Sequence, residues 1–226
     1  MRRRGRRGEG ARDDLRYLFI VTYGRSGSTL LQGILDSIPG YLIRGENRNA
    51  LFRLFQYQTQ LVRACRTWSK GGPLEAKDAW FGIDGYDADG AIAAIRDLVV
   101  GTLLRPGPDT RVTGFKEIRW WHDDWREYLD FLRAVFPGAR FVINVRDHDA
   151  VARSKWWAEN PHALARLDEY EQRLDDIAAY LGDAVYRVDF DEFVADHEVL
   201  AGLFDWLGER FDRARVDAVM AVKHSS

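Results

Sequence analysis

The run LRYLFIV, residues 15–21, passes without a spacer into TYGRSGST, and from Thr29 the apolar positions Leu30, Leu31, Ile34, Leu35 and Ile38 recur at helical spacing. No other feature limits the fold as strongly. A short run of strand formers, a turn with two glycines and an amphipathic helix closed by Pro39-Gly40 make one strand–turn–helix unit. Such a turn aims several backbone N–H groups at one point, and the helix N-terminus adds about half a positive charge there, so the unit is a ready anion site. Gly24 and Gly27 let the backbone come close, Ser26, Ser28 and Thr29 add hydroxyls, and Arg25 adds a fixed charge. The alternative is a helix capped by its own serine or threonine after an ordinary turn.

The rest of the chain repeats the alternation. Strand patterns are RVTGFKE (111–117), RFVINV (140–145) and AVYRVDF (184–190), with Tyr17–Thr22 as the first. Helical spacing covers a segment from Leu51 to Cys65 and spans near 89–104, 125–136, 148–158, 162–181, 191–210 and 212–222. Strands separated by helices imply an α/β fold, a single domain with a central parallel sheet flanked by helices and a P-loop-like nucleotide-binding architecture. Residues 67–88 have no periodicity and read as a long loop, of the kind used as a lid or binding segment. Cys65, the one cysteine, offers neither a disulfide nor a zinc cluster and lies on the apolar stripe of its helix, which assigns it to the core.

A net charge of −2 argues against a general nucleic-acid binder, which needs a strongly basic face. The first twelve residues hold six arginines without the apolar segment of a secretory signal, so residues 1–14 read as a disordered basic tail ahead of a domain over 15–226. No stretch reaches the apolar length of a membrane-spanning helix, and a cytoplasmic location is expected.

A triphosphate loop needs G-x-x-x-x-G-K-S/T. With Gly27 as its second glycine, Thr22 stands where the first belongs and Ser28 where the lysine belongs. The basic residue is instead Arg25, at the front of the turn. This arrangement resembles the phosphosulfate loop of the sulfotransferases that use PAPS, 3′-phosphoadenosine 5′-phosphosulfate. FVINVRDHDAVARS resembles their 3′-phosphate signature, a strand ending in Arg-Asp with a serine eight residues after the arginine, here Arg146 and Ser154. His148 replaces the proline frequent there. AVYRVDFDEFVADHEVLAGLFDWLGERFD is similar to the family's strand, acidic-aromatic turn and helix, and GFKEIRWW sets Lys116 where members carry a lysine near the transferred group. The resemblance spans roughly residues 17–211.

It implies sulfuryl transfer from PAPS to a hydroxyl or amine, in line and without a metal. Gly24, Arg25, Ser26, Gly27, Ser28 and Thr29 would bind the 5′-phosphosulfate, Arg146 and Ser154 the 3′-phosphate. Arg25 and Lys116 would stabilise charge on the leaving phosphate and the migrating group. Cytosolic members place a histidine base two residues past the lysine, where this chain has Ile118. Tyrosylprotein and some bacterial carbohydrate sulfotransferases use a glutamate that Glu46, in IRGEN, resembles; His122 is the reserve base. Trp120, Trp121 and Trp125 belong to the core or to an acceptor or adenine pocket, and Arg119 and Lys223-His224-Ser225 are further phosphate contacts. Two alternatives stand beside this: a P-loop small-molecule or nucleotide kinase with Asp147 on magnesium, and a non-catalytic nucleotide-binding module. The acceptor class, whether small molecule, sugar or peptide, and the oligomeric state stay open.

Overall fold

The computed structural model describes residues 14–222, so the arginine-rich tail and Lys223-His224-Ser225 lie outside the described residues. Five parallel strands, β1 (Arg16–Val21), β2 (Tyr41–Arg44), β3 (Val112–Glu117), β4 (Arg140–Val145) and β5 (Val185–Asp189), form one sheet in the order β2-β3-β1-β4-β5. The helices are α1 (Ser28–Asp36), α2 (Ala50–Trp68), α3 (Ala88–Val99), α4 (Trp125–Val135), α5 (His148–Ala152), α6 (Ala163–Leu181), α7 (Phe190–Ala195), α8 (Ala201–Leu207) and α9 (Arg213–Met220).

Period-two alternation in β1 divides the core between the two faces. Tyr17, Phe19 and Val21 join the larger cluster, where residues of α2, α3, α4 and α6 pack. Leu18 and Ile20 face the smaller one, under α1, α8 and α9. Phe19 is fully buried, with the rings of Phe115, Phe136 and Phe141 at 4.7, 5.2 and 5.6 Å. Phe19→Ala is expected to remove about 3–5 kcal/mol of stability. Urea denaturation checks this, and a loss below about 1 kcal/mol would mean that the rings repack around the gap.

Four departures from the sequence reading matter. YLIR, absent from the strand patterns read in the sequence, is the edge strand β2, bonded to β3; with four residues it is too short to show a pattern. The helix expected over 148–158 stops at Ala152, and Lys155 takes a left-handed φ of 46°. The helix expected over 191–210 is broken at Asp196, whose side chain accepts from the Glu198 N–H and caps a new turn. Cys65 is only half-buried, because the distal half of α2 leaves the core. The 67–88 segment folds back on α2, with Trp68 stacked on Trp80 at 5.0 Å and Tyr86 donating to Gln58 Oε1. Among the described residues no helix is long and apolar enough to cross a membrane.

Candidate active site

Every strand delivers residues to one end of the sheet. The loop from Thr22 to Gly27 leaves β1, Glu46 follows β2, Lys116 is the second-last residue of β3, Arg146 follows β4 and Phe190 follows β5. The crevice outside the carboxyl ends of such strands is where open parallel sheets bind ligands. Here it is a cavity of about 680 Å³ whose walls include Gly24, Arg25, Gly27, Ser28, Thr29, Glu46, Lys116 and Arg146.

Helix α1 starts behind Gly27, whose φ of 79° is left-handed, and no side chain caps it. The capped-helix alternative therefore fails; Leu30 N–H donates to Gly27 O at 2.9 Å, and no side chain takes the N–H groups ahead of it, which suits an anion. A Cβ at Gly27 would collide with the Phe190 ring, so glycine is required there twice over. Arg25 is also left-handed, at φ 74°, a conformation that costs a side-chain-bearing residue about 1–3 kcal/mol. It is held from two sides: its Nε donates to Ser154 Oγ at 2.9 Å, and Arg146 Nη1 donates to its carbonyl at 3.2 Å.

Three buried polar residues that sequence reading missed bind the two motifs together. Tyr23 donates its hydroxyl proton to Arg146 O at 2.8 Å and accepts from Arg146 N at 2.9 Å. Burial pushes that phenol well above its ordinary pKa. Asn144 Nδ2 donates to Ser26 O at 2.7 Å, and the Thr22 hydroxyl donates to Asn144 O at 2.6 Å. A polar residue inside an apolar strand, as in INV, was the available signal.

Two expected ligands sit differently. Ser26 is fully buried with its hydroxyl 2.6 Å from that of Thr22, because the turn points it down into the sheet. It braces the loop and offers no hydroxyl to the cavity. Ser154 does not line the cavity either and reaches it through Arg25. Arg146 lies with its guanidinium 4.5 Å over the Phe190 ring, and its Nε is buried with no hydrogen bond among the described residues, 3.8 Å from Asp191 Oδ1.

At the other end Lys116, with 8% of its side chain exposed, pairs with Glu46 Oε1 at 3.0 Å. Glu46 Oε2 lies 3.5 Å from Arg119 Nη1, which in turn pairs with Glu117 Oε1 at 2.8 Å. Glu117 is 1% exposed and also accepts from the backbone N–H groups of Ile118 and Asn49. Arg48 and Asn49 are both left-handed, at φ 55° and 60°, so Glu117 pins a strained turn just past Glu46. Nothing in the sequence singles Glu117 out.

His122 stacks on Phe52 at 3.5 Å and has its Nε2 2.6 Å from Asn49 Nδ2. With the amide donating, Nε2 is an acceptor and the ring is neutral, and burial lowers its pKa accordingly. It faces α2 and does not line the cavity. None of the three tryptophans lines it either. Trp120 is buried and donates to Glu117 O at 2.7 Å, Trp121 stacks on Tyr170 at 3.6 Å, and Trp125 is core beneath Arg126. The tryptophan that does line the cavity is Trp156.

A phosphate loop at the carboxyl ends of a parallel sheet, facing a buried lysine and two arginines, defines a nucleotide-dependent group-transfer enzyme. Residues 18–213 match the sequence model of the sulfotransferase family, and the chain belongs to that family. Its activity class is sulfuryl transfer from a PAPS-type donor. The kinase and non-catalytic alternatives give way to it. Asp147, the kinase reading's magnesium ligand, is the cap of α5 and accepts from Ala150 N at 2.8 Å. The sulfotransferase domain from the curacin biosynthetic pathway is similar, with a TM-score of 0.50 at 17% identity over 89% of this chain and 76% of that one. That of the Synechococcus PCC 7002 olefin synthase gives 0.47 at 18%, over 89% and 76%. Mouse sulfotransferase SULT7A1 complexed with PAP gives 0.49 at 12%, over 93% and 64%. No curated protein matches the sequence.

Proposed function

We propose that the protein transfers the sulfuryl group of PAPS to a hydroxyl or amine, with Glu46 as general base and no metal in the reaction. PAPS supplies the activated sulfuryl group. Arg25, Gly24, Gly27, Ser28 and Thr29 hold its 5′-phosphosulfate at the uncapped start of α1. Arg146 takes the 3′-phosphate, and Ser154 acts with it through its bond to Arg25. The Nε of Arg146 fits that assignment: it is buried without a hydrogen bond, and its acid partner Asp191 Oδ1 stands off at 3.8 Å, so an anion would satisfy a donor that the protein leaves unbonded. Lys116 and Arg25 provide the positive charge that other group-transfer sites take from a cation.

One observation carries the reading: Lys116 in β3 and Glu46 just past β2, 70 residues apart, meet at 3.0 Å in the cavity that the phosphate loop opens into. A carboxylate there can receive an acceptor proton while the lysine meets the sulfuryl oxygens, and holding both in place is most of what such transfer needs. The soluble donor and the charged, open site suit a cytoplasmic enzyme.

Calorimetry with PAP, AMP, ADP and ATP tests the donor. PAP is expected to bind far more tightly than AMP, and Arg146→Ala to erase most of that difference, a loss of about 1.5–3 kcal/mol for one charge-assisted contact. Equal affinities of the wild-type protein for PAP and AMP would overturn the donor assignment. A screen of labelled PAPS over phenols, sugars, peptides and amines then identifies the acceptor.

A further inference from the structure

Trp156 is 53% exposed, and it stands in the wall of the active-site cavity. Scattered exposed aromatics are ordinary, but an unsatisfied indole face inside a binding cavity is not. The residues on either side of it are fastened to the phosphate loop. Ser154 accepts from Arg25 Nε at 2.9 Å, and Trp157, 6% exposed, donates its indole N–H to Gly24 O at 3.0 Å. Between them Lys155 is left-handed, so the chain abandons helix α5 to hold this turn. The ring rests on bare backbone: a Cβ at Gly24 would be 2.7 Å from Trp156 Cζ2 and 3.6 Å from Ile118 Cδ1. Gly24 thus covers part of the indole, with Ile118 nearby and the Arg25 guanidinium 5.9 Å from the ring, and about half of the residue stays open where it lines the cavity.

Ile118 fixes which end of the cavity this is. It follows Lys116 by two residues, and Arg119 after it lies 3.5 Å from Glu46. Phe190, another wall residue, lies instead against Gly27 and under Arg146. If the nucleotide lies toward Arg146, as proposed above, the indole covers the place where the acceptor must approach Glu46.

We infer that Trp156 is a specificity-determining wall of the acceptor site, and that the acceptor carries its hydroxyl on a flat ring stacked against the indole. The inference rests on the PAPS reading. A flat ring covers an indole and a neighbouring isoleucine efficiently, whereas a short aliphatic chain leaves most of that surface wet. Aromatic rings and the C–H face of a pyranose share this chemistry, and the test separates them.

The probes are 4-nitrophenol, methyl β-glucoside and 1-butanol, titrated into the protein–PAP complex and then assayed with labelled PAPS. A ring probe is expected to bind and to be sulfated in preference to 1-butanol, and which ring does so identifies the source. Trp156→Ala should raise the KM for that probe by roughly tenfold, Trp156→Phe should restore most of it, and the Kd for PAP should stay within about twofold of wild type. The inference is overturned if 1-butanol serves as well as the rings, or if neither ring binds the PAP complex. It is equally overturned if Trp156→Ala weakens PAP as much as the ring probe, because the indole would then stack on adenine. A wild-type protein that does not bind PAP overturns the donor reading as well.

Discussion

Glu46→Gln is expected to lower turnover by about 10²–10⁴-fold while PAP affinity stays close to wild type, because the substitution keeps shape and removes the base. The edge strand β2 makes this residue available. Without it the crossover from α1 would end on the far side of the sheet, and β2 runs parallel to β3 and returns the chain to the carboxyl ends. Glu46 therefore reaches Lys116 at 3.0 Å with about a third of its side chain, 34%, open to the cavity. Steady-state assays with labelled PAPS give turnover, and calorimetry gives the nucleotide term. The geometry makes His122 a poor substitute, since its ring is stacked on Phe52 and its Nε2 is engaged by Asn49. A Glu46→Gln enzyme near wild type, with His122→Ala inactive, would move the base to His122.

The pair must open for the reaction to run. Lys116 is nearly buried, and a buried ammonium that loses its only carboxylate carries a penalty of about 3–5 kcal/mol unless another anion replaces it. On the proposed reading the sulfuryl oxygens are that anion, and Arg119, 3.5 Å from Glu46 Oε2, keeps the released carboxylate in place. Glu117 in turn anchors Arg119 and the strained Arg48-Asn49 turn. The alternating charges from Lys116 through Glu46 and Arg119 to Glu117 thus hold the base against the cation through one hydrogen bond before any ligand arrives.

Much of this fold was legible because its signals are local. The strand–turn–helix junction and four of the five strands follow from periodicity and turn chemistry, which depend on neighbours in sequence, and the Arg146…Ser154 spacing was legible only through the family resemblance. What was not legible depends on neighbours in space. Ser26 and Thr29 look alike in GSTL and RSGS, yet the turn buries one hydroxyl against Thr22 and leaves the other exposed. Trp120, Trp121 and Trp156 sit in similar tryptophan pairs, and only tertiary packing buries the first, stacks the half-buried second on Tyr170 and sets the third in the cavity wall. Glu117 reads as one more acid in a charged segment until three donors from two segments are found on it. Helix α5 ends early for a tertiary reason too: Ser154 and Trp157 are drawn to the phosphate loop.

The second large effect is expected at Arg25. Arg25→Ala should lower turnover by about 10²–10³-fold, the usual cost of removing one preorganised donor from developing negative charge, and should weaken PAP binding much less. Two features set Arg25 apart from a residue that only binds. It occupies a left-handed backbone position at the front of the loop, with φ 74°, which an arginine adopts only when the surroundings enforce it. Its guanidinium is also oriented by Ser154 and lies 5.9 Å from the Trp156 ring, between the proposed donor and acceptor ends. A charge fixed there costs no reorganisation as the leaving phosphate gains charge. Alanine inherits the backbone strain but not the charge, so Arg25→Lys is the necessary comparison: it keeps the charge, loses the planar fork that meets Ser154, and should recover part of the turnover. The discriminating measurement is the division of the effect between kcat and KM in both variants. A change confined to KM, with kcat intact in Arg25→Ala, would make Arg25 a binding residue and leave Lys116 as the cation that meets the transition state.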